Sequence, residues 1–438
     1  MTDRPRATRF ACTADRIFDG KDVLTGHAVL VEGETIRDVA PVSRVPEGWP
    51  MLSGGGATLM PGLIDAHVHF MRWQGPLYLA AGVTTVRDTG NKLDWILARR
   101  AEWKRHPWPR LFCLGPLVDG PKPYWGVSVA CDSADAAGRT VADLAAARVD
   151  GIKLYAGLPA EWVPAAAKAA AAARLLVSMH CQSAGVLTAG EAGIDEFFHL
   201  DGLMGDLWPG HPPGWLEVWG HPDFAGTQDQ QKKVADRIAE LGLIATPTLA
   251  YWDSRARSVS PGWPPDDELE TVPARARDWL RATCTREPDQ KATETWQRAR
   301  DAAEKLASLL LARGVPMLAG TDVPCEQILP GRSLWRELSL LTECGMTAQQ
   351  ALRAATSDAA RRLGMPAIGR LARGYAADMV LVSGNPAERI PDKPQVKSVM
   401  RAGRFYLPDE LISAGKTEDA DPALDPWGIE FLRMAGKG

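Results

Sequence analysis

The sequence lacks the two features that most often place a chain in a membrane or on a nucleic acid. No run approaches the roughly 18 consecutive apolar residues of a membrane-spanning helix, and no apolar segment follows the charged residues 1–10 as it would in a secretory signal. Its 50 Lys and Arg stand against 54 Asp and Glu, and the net charge of −4 indicates no basic surface for nucleic acid. We expect a cytoplasmic protein without membrane or nucleic-acid partners.

Cysteine is also scarce. The seven cysteines are odd in number, scattered, and never in Cys-x-x-Cys spacing, which argues against a disulfide framework and against a thiolate zinc site. The rest of the composition, 45% hydrophobic and 24% charged, is that of a globular protein with material for a large core. A length of 438 residues fits two or three average domains, or one α/β barrel with an appendage.

Short apolar runs alternate with helical patterns from about residue 60 onward, which is typical of repeated βα units and a parallel sheet. The eight runs cover residues 59–70, 83–88, 110–115, 151–155, 175–180, 196–200, 243–249 and 315–322. Eight parallel strands with crossover helices favour a closed (β/α)8 TIM barrel over an open doubly wound sheet. The sequence therefore predicts an α/β barrel fold.

Both ends of the chain differ from this middle part. Residues 11–60 and 374–406 show alternating runs broken by turns, and we expect them to pair as one small composite β-sandwich domain. The predicted domains are a composite β domain (1–60 and 366–414), the barrel (61–365) and a C-terminal tail (415–438), which we expect to be irregular. Two insertions rich in Trp and Pro, residues 207–224 and 251–279, are longer than barrel loops need, and such loops usually serve the active site.

The first apolar run of the barrel ends in two histidines two positions apart, His67 and His69. Residues i and i+2 of a strand point to the same side, so the two imidazoles converge on one point. Neutral imidazoles are good ligands for a borderline metal such as zinc. A His-x-His pair alone is equally compatible with a metal site and with two histidines that bind no metal. The residues at the ends of the other strands must decide between these two interpretations.

Further reactive side chains occur at the ends of other predicted strands, where barrel enzymes carry their active sites. Lys153 lies in the fourth run, the fifth ends in His180, the sixth in His199 and the eighth in Asp322. A lone lysine in an apolar strand usually forms an ion pair or extends its ammonium group to solvent. Here, however, it lies at the same barrel end as four histidines. Burial and nearby cations would lower its pKa, and the neutral amine can then add carbon dioxide and become a carbamate, an oxygen ligand that could bridge two metals.

Five motifs make the sequence resemble the amidohydrolase superfamily, in its imidazolonepropionase-like, prolidase-like branch with a carboxylated lysine. They are Met60-Pro-Gly-Leu-Ile-Asp-Ala-His-Val-His69, Ala81-Gly-Val-Thr-Thr-Val-Arg-Asp88, Asp150-Gly-Ile-Lys-Leu-Tyr155, Gly314-Val-Pro-Met-Leu-Ala-Gly-Thr-Asp322 and Gly369-Arg-Leu-Ala-Arg-Gly-Tyr-Ala-Ala-Asp-Met-Val-Leu381. The resemblance covers nearly the whole chain. It implies a barrel with a composite β domain and a binuclear metal centre.

The resemblance also implies which residues hold each metal. It places His67, His69 and Asp322 on the first ion and His180 and His199 on the second, with carboxylated Lys153 between them. The expected cofactors are two divalent ions, Zn²⁺ first with Mn²⁺ and Fe²⁺ as alternatives, and the carbamate derived from CO2. The sequence departs from the family at Cys181-Gln182, where relatives often have a further histidine, and at Phe198, where an acidic residue is frequent.

Two metals bridged by a carbamate would activate a shared water and polarise a carbonyl, so the expected reaction is hydrolysis of a peptide, N-acyl or cyclic amide bond by a metal-bridged hydroxide. Asp322 is the candidate general base and then general acid, although Asp is also a common helix cap. A mononuclear deaminase or an imidazolone-type ring hydrolase is the alternative, and Lys153 argues against it. A non-catalytic assembly scaffold is a third reading, which the six intact ligands make improbable.

The substrate is expected to be a small amide or peptide that is bulky or aromatic, because several of the 16 tryptophans fall in predicted loops after strands. Arg72, Tyr155, Trp215 and Trp252 are the candidate substrate contacts. His211 and His221 lie in the first insertion, where either a substrate contact or an ordinary loop role fits. We further expect a homo-oligomer.

Overall fold

The computed structural model describes residues 9–182, 184–207, 228–258, 266–284, 290–325, 328–418 and 420–436. The strands are β1 (Arg9–Phe18), β2 (Val23–Leu24), β3 (His27–Glu32), β4 (Thr35–Pro41), β5 (Met51–Pro61), β6 (Leu63–Val68), β7 (Val83–Asp88), β8 (Arg110–Cys113), β9 (Leu117–Asp119), β10 (Ser128–Ala130), β11 (Ile152–Leu154), β12 (Val177–His180), β13 (Glu196–Phe198), β14 (Ile244–Thr246), β15 (Met379–Ser383), β16 (Val396–Arg401) and β17 (Arg404–Tyr406).

The described residues also contain α-helices, most of which lie between the barrel strands in the sequence. They are α1 (Gly75–Ala80), α2 (Leu93–Glu102), α3 (Ala134–Ala146), α4 (Val163–Ala172), α5 (Val186–Glu191), α6 (Met204–Leu207), α7 (Gln228–Glu240), α8 (Leu249–Ser258), α9 (Asp266–Leu269), α10 (Ala274–Cys284), α11 (Gln290–Ala312), α12 (Arg332–Glu343), α13 (Ala348–Ala354), α14 (Ser357–Arg362), α15 (Pro408–Glu418) and α16 (Pro426–Met434). Within the described ranges, none of these helices combines the length and the apolar character that crossing a bilayer requires.

Parallel strands form the barrel in chain order. β6 pairs with β7 and β7 with β8, and β11, β12, β13 and β14 follow in the ring. β9 continues β8 as one of the eight barrel strands, since both lie beside the β11 segment: Asp150 N–H donates to Cys113 O (2.8 Å) and Tyr155 N–H to Val118 O (2.9 Å). Residues 317–323 close it, since Leu318 N–H donates to Ala245 O (2.9 Å) on one side and Ala66 N–H donates to Ala319 O (2.9 Å) on the other. Apart from the half-buried Arg110 and Phe112 of β8, these strands are buried along their length, as expected where helices cover a parallel sheet. The predicted (β/α)8 barrel is confirmed.

The two chain ends form one sheet, in the order β17-β16-β15-β5-β1-β3-β4, with β2 paired to β1. Leu381 of β15 lies opposite Leu59 of β5, so the C-terminal strands add directly to the N-terminal ones. Its core is apolar and draws on both ends: Phe10, Ile17, Val29, Leu59, Met379 and Met400. The composite β domain of the predicted fold is confirmed, and its strands make one continuous sheet. The bounds 1–60 and 366–414 stay a prediction.

A single residue, Gly62, separates β5 of this sheet from β6 of the barrel. A Cβ at this position would lie 2.1 Å from Oγ1 of Thr84, so only glycine lets the chain pass this close to β7. The composite sheet is therefore fixed directly to the strand that carries His67.

A buried ion pair crosses the barrel interior. The guanidinium of Arg87 (β7) donates to both carboxylate oxygens of Glu196 (β13), at 2.8 and 2.7 Å, and its Nε donates to Ala66 O at 2.7 Å. The hydroxyls of Ser178 and Thr246 donate to the same carboxylate, each at 2.5 Å. Five strands thus share one network, in which each charge is matched and hydrogen-bonded as burial requires.

The C-terminal tail differs from the expected irregular segment, because it contains the last four residues of helix α15 and all of α16. Pro426 occupies the first turn of α16, where its missing N–H costs nothing, and Trp427 and Phe431 share one face of the helix (ring centroids 6.0 Å apart). The tail charges suggested disorder, but this short apolar stripe gives α16 a surface to bury.

Candidate metal centre

Three buried side chains from three different strand ends converge at one end of the barrel. The ligand atoms of His67, His199 and Asp322 all lie within 4.8 Å of one another, and no other such group occurs among the residues that the structure describes. His67 belongs to β6, His199 directly follows β13, and Asp322 lies in the closing segment 317–323. Nitrogen and carboxylate donors in this arrangement suit a borderline divalent ion.

His69 joins this group through the same carboxylate oxygen. The Nε2 atoms of His67 and His69 each lie 3.2 Å from Oδ1 of Asp322. The Nδ1 of His69 lies 3.2 Å from Gly90 O, and a proton on Nδ1 donated to that carbonyl leaves Nε2 as the metal-binding nitrogen. The strand geometry predicted for the His-x-His pair is thus present.

The ring of His67 is fully buried, and although its Nε2 lies 3.2 Å from Oδ1 of Asp322, neither ring nitrogen makes a hydrogen bond of good geometry within the described residues. A buried polar atom without a partner is costly, on the order of 1–3 kcal/mol. A metal ion at Nε2 would give that nitrogen a partner. The unsatisfied imidazole of His67 is the observation that supports a metal ion at this site.

His199 is held at its other nitrogen, since its Nδ1 lies 2.7 Å from Oγ1 of Thr248, which leaves Nε2 for a ligand role. His199, Thr248 and Asp322 all adopt positive φ angles (61°, 50° and 66°). Such backbone conformations are strained for residues other than glycine and concentrate at functional sites.

His180 lies beside His199, with ring centroids 4.6 Å apart. Its Nε2 is 2.7 Å from Oδ2 of Asp201, an oxygen that also accepts from Nε2 of Gln182 at 2.9 Å. Nδ1 is therefore the nitrogen that His180 would offer to a metal. Gln182, one of the departures from the family pattern, helps to hold the carboxylate that orients His180.

Lys153 is 1% exposed, and its Nζ lies over the ring of Phe198, 3.7 Å from the centroid. Arg87 approaches the same ring, with Cζ 5.1 Å from the centroid. Burial lowers the pKa of Lys153 to about 7, although Asp322 and Glu196 oppose this shift. A substantial fraction of the amine is then neutral near pH 7, which is the form that reacts with carbon dioxide.

Three of the other ligand candidates, His67, His199 and Asp322, have the protonation states that metals require. Burial lowers the pKa of His199 to about 3 and that of His67 well below its usual value. Burial alone would raise the pKa of Asp322, but His199 and the other neighbouring imidazoles hold it well below its usual range. At neutral pH both imidazoles are neutral and the carboxyl is ionised, as ligands must be.

Two further aspartates at strand ends fix the backbone around the ligands. Asp65 accepts from Thr321 Oγ1 at 2.7 Å and from Thr321 N at 3.1 Å, which ties β6 to the segment before Asp322. Asp88 accepts from Phe70 N at 2.8 Å and from Asn91 Nδ2 at 3.1 Å. Both carboxylates thus orient backbone and side chains next to the ligands and are not ligands themselves in this geometry.

The predicted substrate contacts have different surroundings. Arg72 donates from Nε to Oδ1 of Asp425 (2.6 Å), so it anchors α16. The expectation for Trp252 is corrected, because its indole is 1% exposed and packs against Trp296 in the core between α8 and α11. Trp215 lies outside the described residues, and so do His211 and His221.

Aromatic side chains nevertheless line the site. Trp427 of α16 packs on His69 (centroids 4.2 Å apart) and on Trp125 (5.0 Å). Nε1 of Trp125 donates to the hydroxyl of Tyr155 (2.7 Å), and the Tyr155 ring meets His180 at 5.3 Å. A continuous aromatic wall, made of Trp427, Trp125 and Tyr155, thus runs from His69 to His180.

Sequence reasoning missed Asp201, Thr248 and Trp427. Asp201 comes two residues after His199 and Thr248 lies at the end of the seventh apolar run, so the rule that strand ends carry function could have found both. Trp427 carries no such signal, because its contact with His69 depends on where the C-terminal helix packs.

The sequence matches the model of the Amidohydrolase family over residues 77–406 and that of the NagA composite domain over residues 10–59. Among curated proteins, the imidazolonepropionase of Arthrobacter sp. (strain FB24) is 33% identical over 91 residues, 18% of this chain and 23% of the relative. The chain spans less than a quarter of the length of the curated relatives it matches, 23% and 11% for two imidazolonepropionases.

Solved structures resemble the whole fold. A Xaa-Pro dipeptidase with bound methionine in its active site has a TM-score of 0.67 and 19% identity, covering 91% of this chain and 100% of its own. A bottromycin amidohydrolase has a TM-score of 0.71 and 22% identity, covering 97% of this chain and 92% of its own. At such identities the likeness establishes the fold, a barrel with a composite sheet.

Proposed function

The chain belongs to the amidohydrolase family, whose members are hydrolases that act on carbon–nitrogen bonds, and on this premise we propose that it hydrolyses an amide bond in a peptide, an N-acyl compound or a cyclic amide. The observation that carries the proposal is the convergence of His67, His69 and His199 on the carboxylate of Asp322. The family generally uses divalent metals, and this group fits one.

We assign His67, His69 and Asp322 to one ion and His180 and His199 to a second, with a carbamate on Lys153 between them. Zn²⁺ is the first choice because nitrogen and oxygen donors in a buried site suit it, with Mn²⁺ and Fe²⁺ as alternatives. When bound, the ions would supply Lewis acidity, which lowers the pKa of a water molecule and polarises the substrate carbonyl.

The proton steps fall to Asp322. Its Oδ1 faces two imidazoles, and we assign Oδ2 to take the proton of the attacking water and to deliver it to the leaving nitrogen. The low pKa of this carboxyl keeps it ionised and able to accept a proton at neutral pH. Asp65 holds the adjoining Thr321 by two hydrogen bonds, which fixes the direction of the carboxylate.

The aromatic wall supports a substrate with a bulky, partly apolar group next to the scissile amide. Trp125 and Tyr155 are only partly buried, so their rings can meet such a group. The likeness to a dipeptidase fold and to imidazolonepropionase sequences is consistent with either a linear or a cyclic amide. The proposed substrates are therefore dipeptides or N-acyl amino acids with a large side chain, and cyclic amides of similar size.

A screen of dipeptides, N-acyl amino acids and cyclic amides against zinc- and manganese-loaded protein tests this proposal. We expect metal-dependent release of an amine or acid from at least one class, and loss of this activity with a chelator. Failure to hydrolyse any amide, together with ammonia release from an aminated ring, would contradict it.

The metal count and the state of Lys153 test the finer assignment. We expect close to two ions per chain and a carbamate seen by ¹³C NMR after incubation with labelled bicarbonate. Lys153→Ala should lose one ion and most activity, and a short carboxylic acid in the buffer should restore part of both. Lys168, in helix α4 on the outside of the barrel, gives a matched control, because its replacement by alanine should change neither the metal content nor the labelled signal.

A mononuclear deaminase or imidazolone-type ring hydrolase is the second candidate. It is favoured by one observation: the compact group His67, His199 and Asp322 contains three ligands, whereas Nε2 of His180 is directed to Asp201. One ion per chain and an unmodified lysine would select this reading.

A further inference from the structure

Helix α16 packs one of its side chains directly on a predicted metal ligand. The indole of Trp427 lies with its centroid 4.2 Å from that of the His69 ring, at an interplanar angle of 46°. Trp427 is 1% exposed, so this contact excludes water from one face of the imidazole.

The two side chains also share a hydrogen-bond acceptor. Nε1 of Trp427 donates to Gly90 O at 2.5 Å, and Nδ1 of His69 lies 3.2 Å from the same oxygen. A carbonyl has two lone pairs, so it can accept from both donors at once. Trp427 thus restrains the face of the imidazole and also the carbonyl that sets its tautomer.

Gly90 is required for this arrangement. A Cβ at position 90 would lie 2.4 Å from Cδ2 of Leu117 and 3.5 Å from Cε1 of His69. The absence of a side chain lets the carbonyl stand between the histidine and the tryptophan.

Three anchors hold α16 in place from separate parts of the chain. Arg72, three residues after His69, binds Asp425 through its backbone N–H (2.9 Å) and its Nε (2.6 Å). Nε1 of Trp279 donates to Gly428 O at 3.1 Å, and Gly126 N–H donates to Glu430 at 2.9 Å. The position of Trp427 is therefore set independently of its contact with His69.

We propose that helix Pro426–Met434 is a component of the metal centre and that Trp427 is a positioning residue, which fixes the ring orientation and tautomer of His69. The inference rests on the proposed metal site. Partners that orient a metal-binding histidine typically change metal affinity by about 10–100-fold when they are removed. Trp427 would do this from a helix that contributes no ligand of its own.

Zinc affinity of the full-length protein, measured by competition with a chromophoric chelator, tests the proposal without any substrate. Trp427→Ala should weaken binding by about tenfold or more, and Trp427→Phe, which keeps a ring on His69, should recover most of it. Trp335→Ala is the matched control, because Trp335 is equally buried and donates from Nε1 to Ala81 O (2.9 Å) at the opposite end of the barrel strands. It should lower thermal stability and leave zinc affinity within about twofold of wild type.

Equal zinc affinity in Trp427→Ala and wild type would overturn the proposal, and so would an equal loss in Trp335→Ala. If wild type binds no zinc, the proposed function fails as well, so the two failures are distinguishable. Should Trp427→Ala not fold, Co²⁺ quenching of indole fluorescence in wild type and Trp427→Phe decides the question. The quenched fraction should be clearly larger in wild type, and identical quenching would contradict the contact with a metal-bound His69.

Discussion

At the scale of single residues, the site places chemically important side chains on strained backbone. His199 and Asp322 have φ angles of 61° and 66°, and backbone hydrogen bonds to Thr246 O (2.9 Å) and His67 O (2.8 Å) hold them there. The strain is local, and the neighbouring strands of the barrel compensate for it. A substitution at either position must therefore be judged by its tolerance of positive φ as well as by its chemistry.

Asp322→Asn separates these two requirements. Asparagine tolerates positive φ and keeps the shape and an oxygen ligand, but its amide cannot take a proton from water. We expect kcat on the best substrate to fall by about 10²–10⁴-fold, with most of the metal retained. Steady-state kinetics and elemental analysis measure both effects, and a loss below about tenfold would exclude the proton-transfer role. Asp301, exposed on α11, is the control position for the same change.

Glu337 should make stability depend on pH. Its buried carboxylate accepts from Ala250 N at the start of α8 (2.6 Å), and burial raises its pKa from the ordinary 4.5 to about 8. A carboxyl whose pKa is higher in the folded state penalises folding once it must ionise, so its contribution is most favourable below pH 4.5 and is lost as the pH rises towards 8.

Glu337→Gln removes this penalty and keeps an oxygen acceptor for Ala250. The Tm of the variant relative to that of wild type should therefore rise from pH 5 to pH 9, by roughly 1 °C for each kcal/mol of relieved penalty in a chain of this length. Thermal unfolding across this pH range provides the measurement. A difference that stays constant with pH would show that Glu337 titrates alike in the folded and unfolded states.

At the scale of elements, the strands of the barrel are joined by polar as well as apolar contacts. Arg87 and Glu196 link β7 to β13, and Ser178 and Thr246 add β12 and β14. The apolar runs of the sequence predicted these strands, but they gave no indication that the four side chains would meet. The pairing depends on the closed ring, which brings residues 109 positions apart into contact.

Removing one partner of this buried pair should be costly. Glu196→Gln leaves the Arg87 guanidinium, and Arg87→Met leaves the Glu196 carboxylate, as an uncompensated buried charge. We expect a loss of about 3–5 kcal/mol in the free energy of unfolding for either variant. The surface pair Arg237 and Glu191, whose side chains are 44% and 56% exposed, is the control, and its removal should change stability by about 0–1 kcal/mol. Denaturant unfolding measures both. Similar effects at the two pairs would show that the barrel network contributes little.

At the scale of the whole molecule, the sequence predicted the architecture better than the details of the site. Alternating apolar runs and strand-end side chains are local signals, and they led to the barrel, the composite sheet and the place of His67 and Asp322. The position of Trp427 and the pairing of Arg72 with Asp425 depend on long-range packing of the tail, which no local pattern encodes. Trp252 is an example of a local signal that misled, because the sequence placed it in a loop, whereas the structure places it in helix α8 with its side chain buried.

The composite sheet should not survive removal of its C-terminal strands. β15 lies between β5 and β16, so deleting the residues after Gly374 exposes the edge of β5 and the apolar face that includes Leu59 and Ile17. We expect the truncated chain to be insoluble on expression, and the soluble fraction of the 438-residue chain under the same conditions is the comparison. A soluble truncated chain with wild-type metal content would show that the N-terminal strands fold by themselves.

The hydrogen bond between Trp427 and Gly90 joins residues 337 positions apart, which has a consequence for synthesis on the ribosome. All six proposed ligands precede α16 along the chain, so they are made before the residue that packs on His69. Vectorial synthesis thus gives a nascent barrel with its ligands in place and one imidazole still open to water. If zinc occupies the proposed site, an ion captured at that stage would be held less firmly than after α16 has packed on the barrel, so docking of α16 becomes the step that secures the ion.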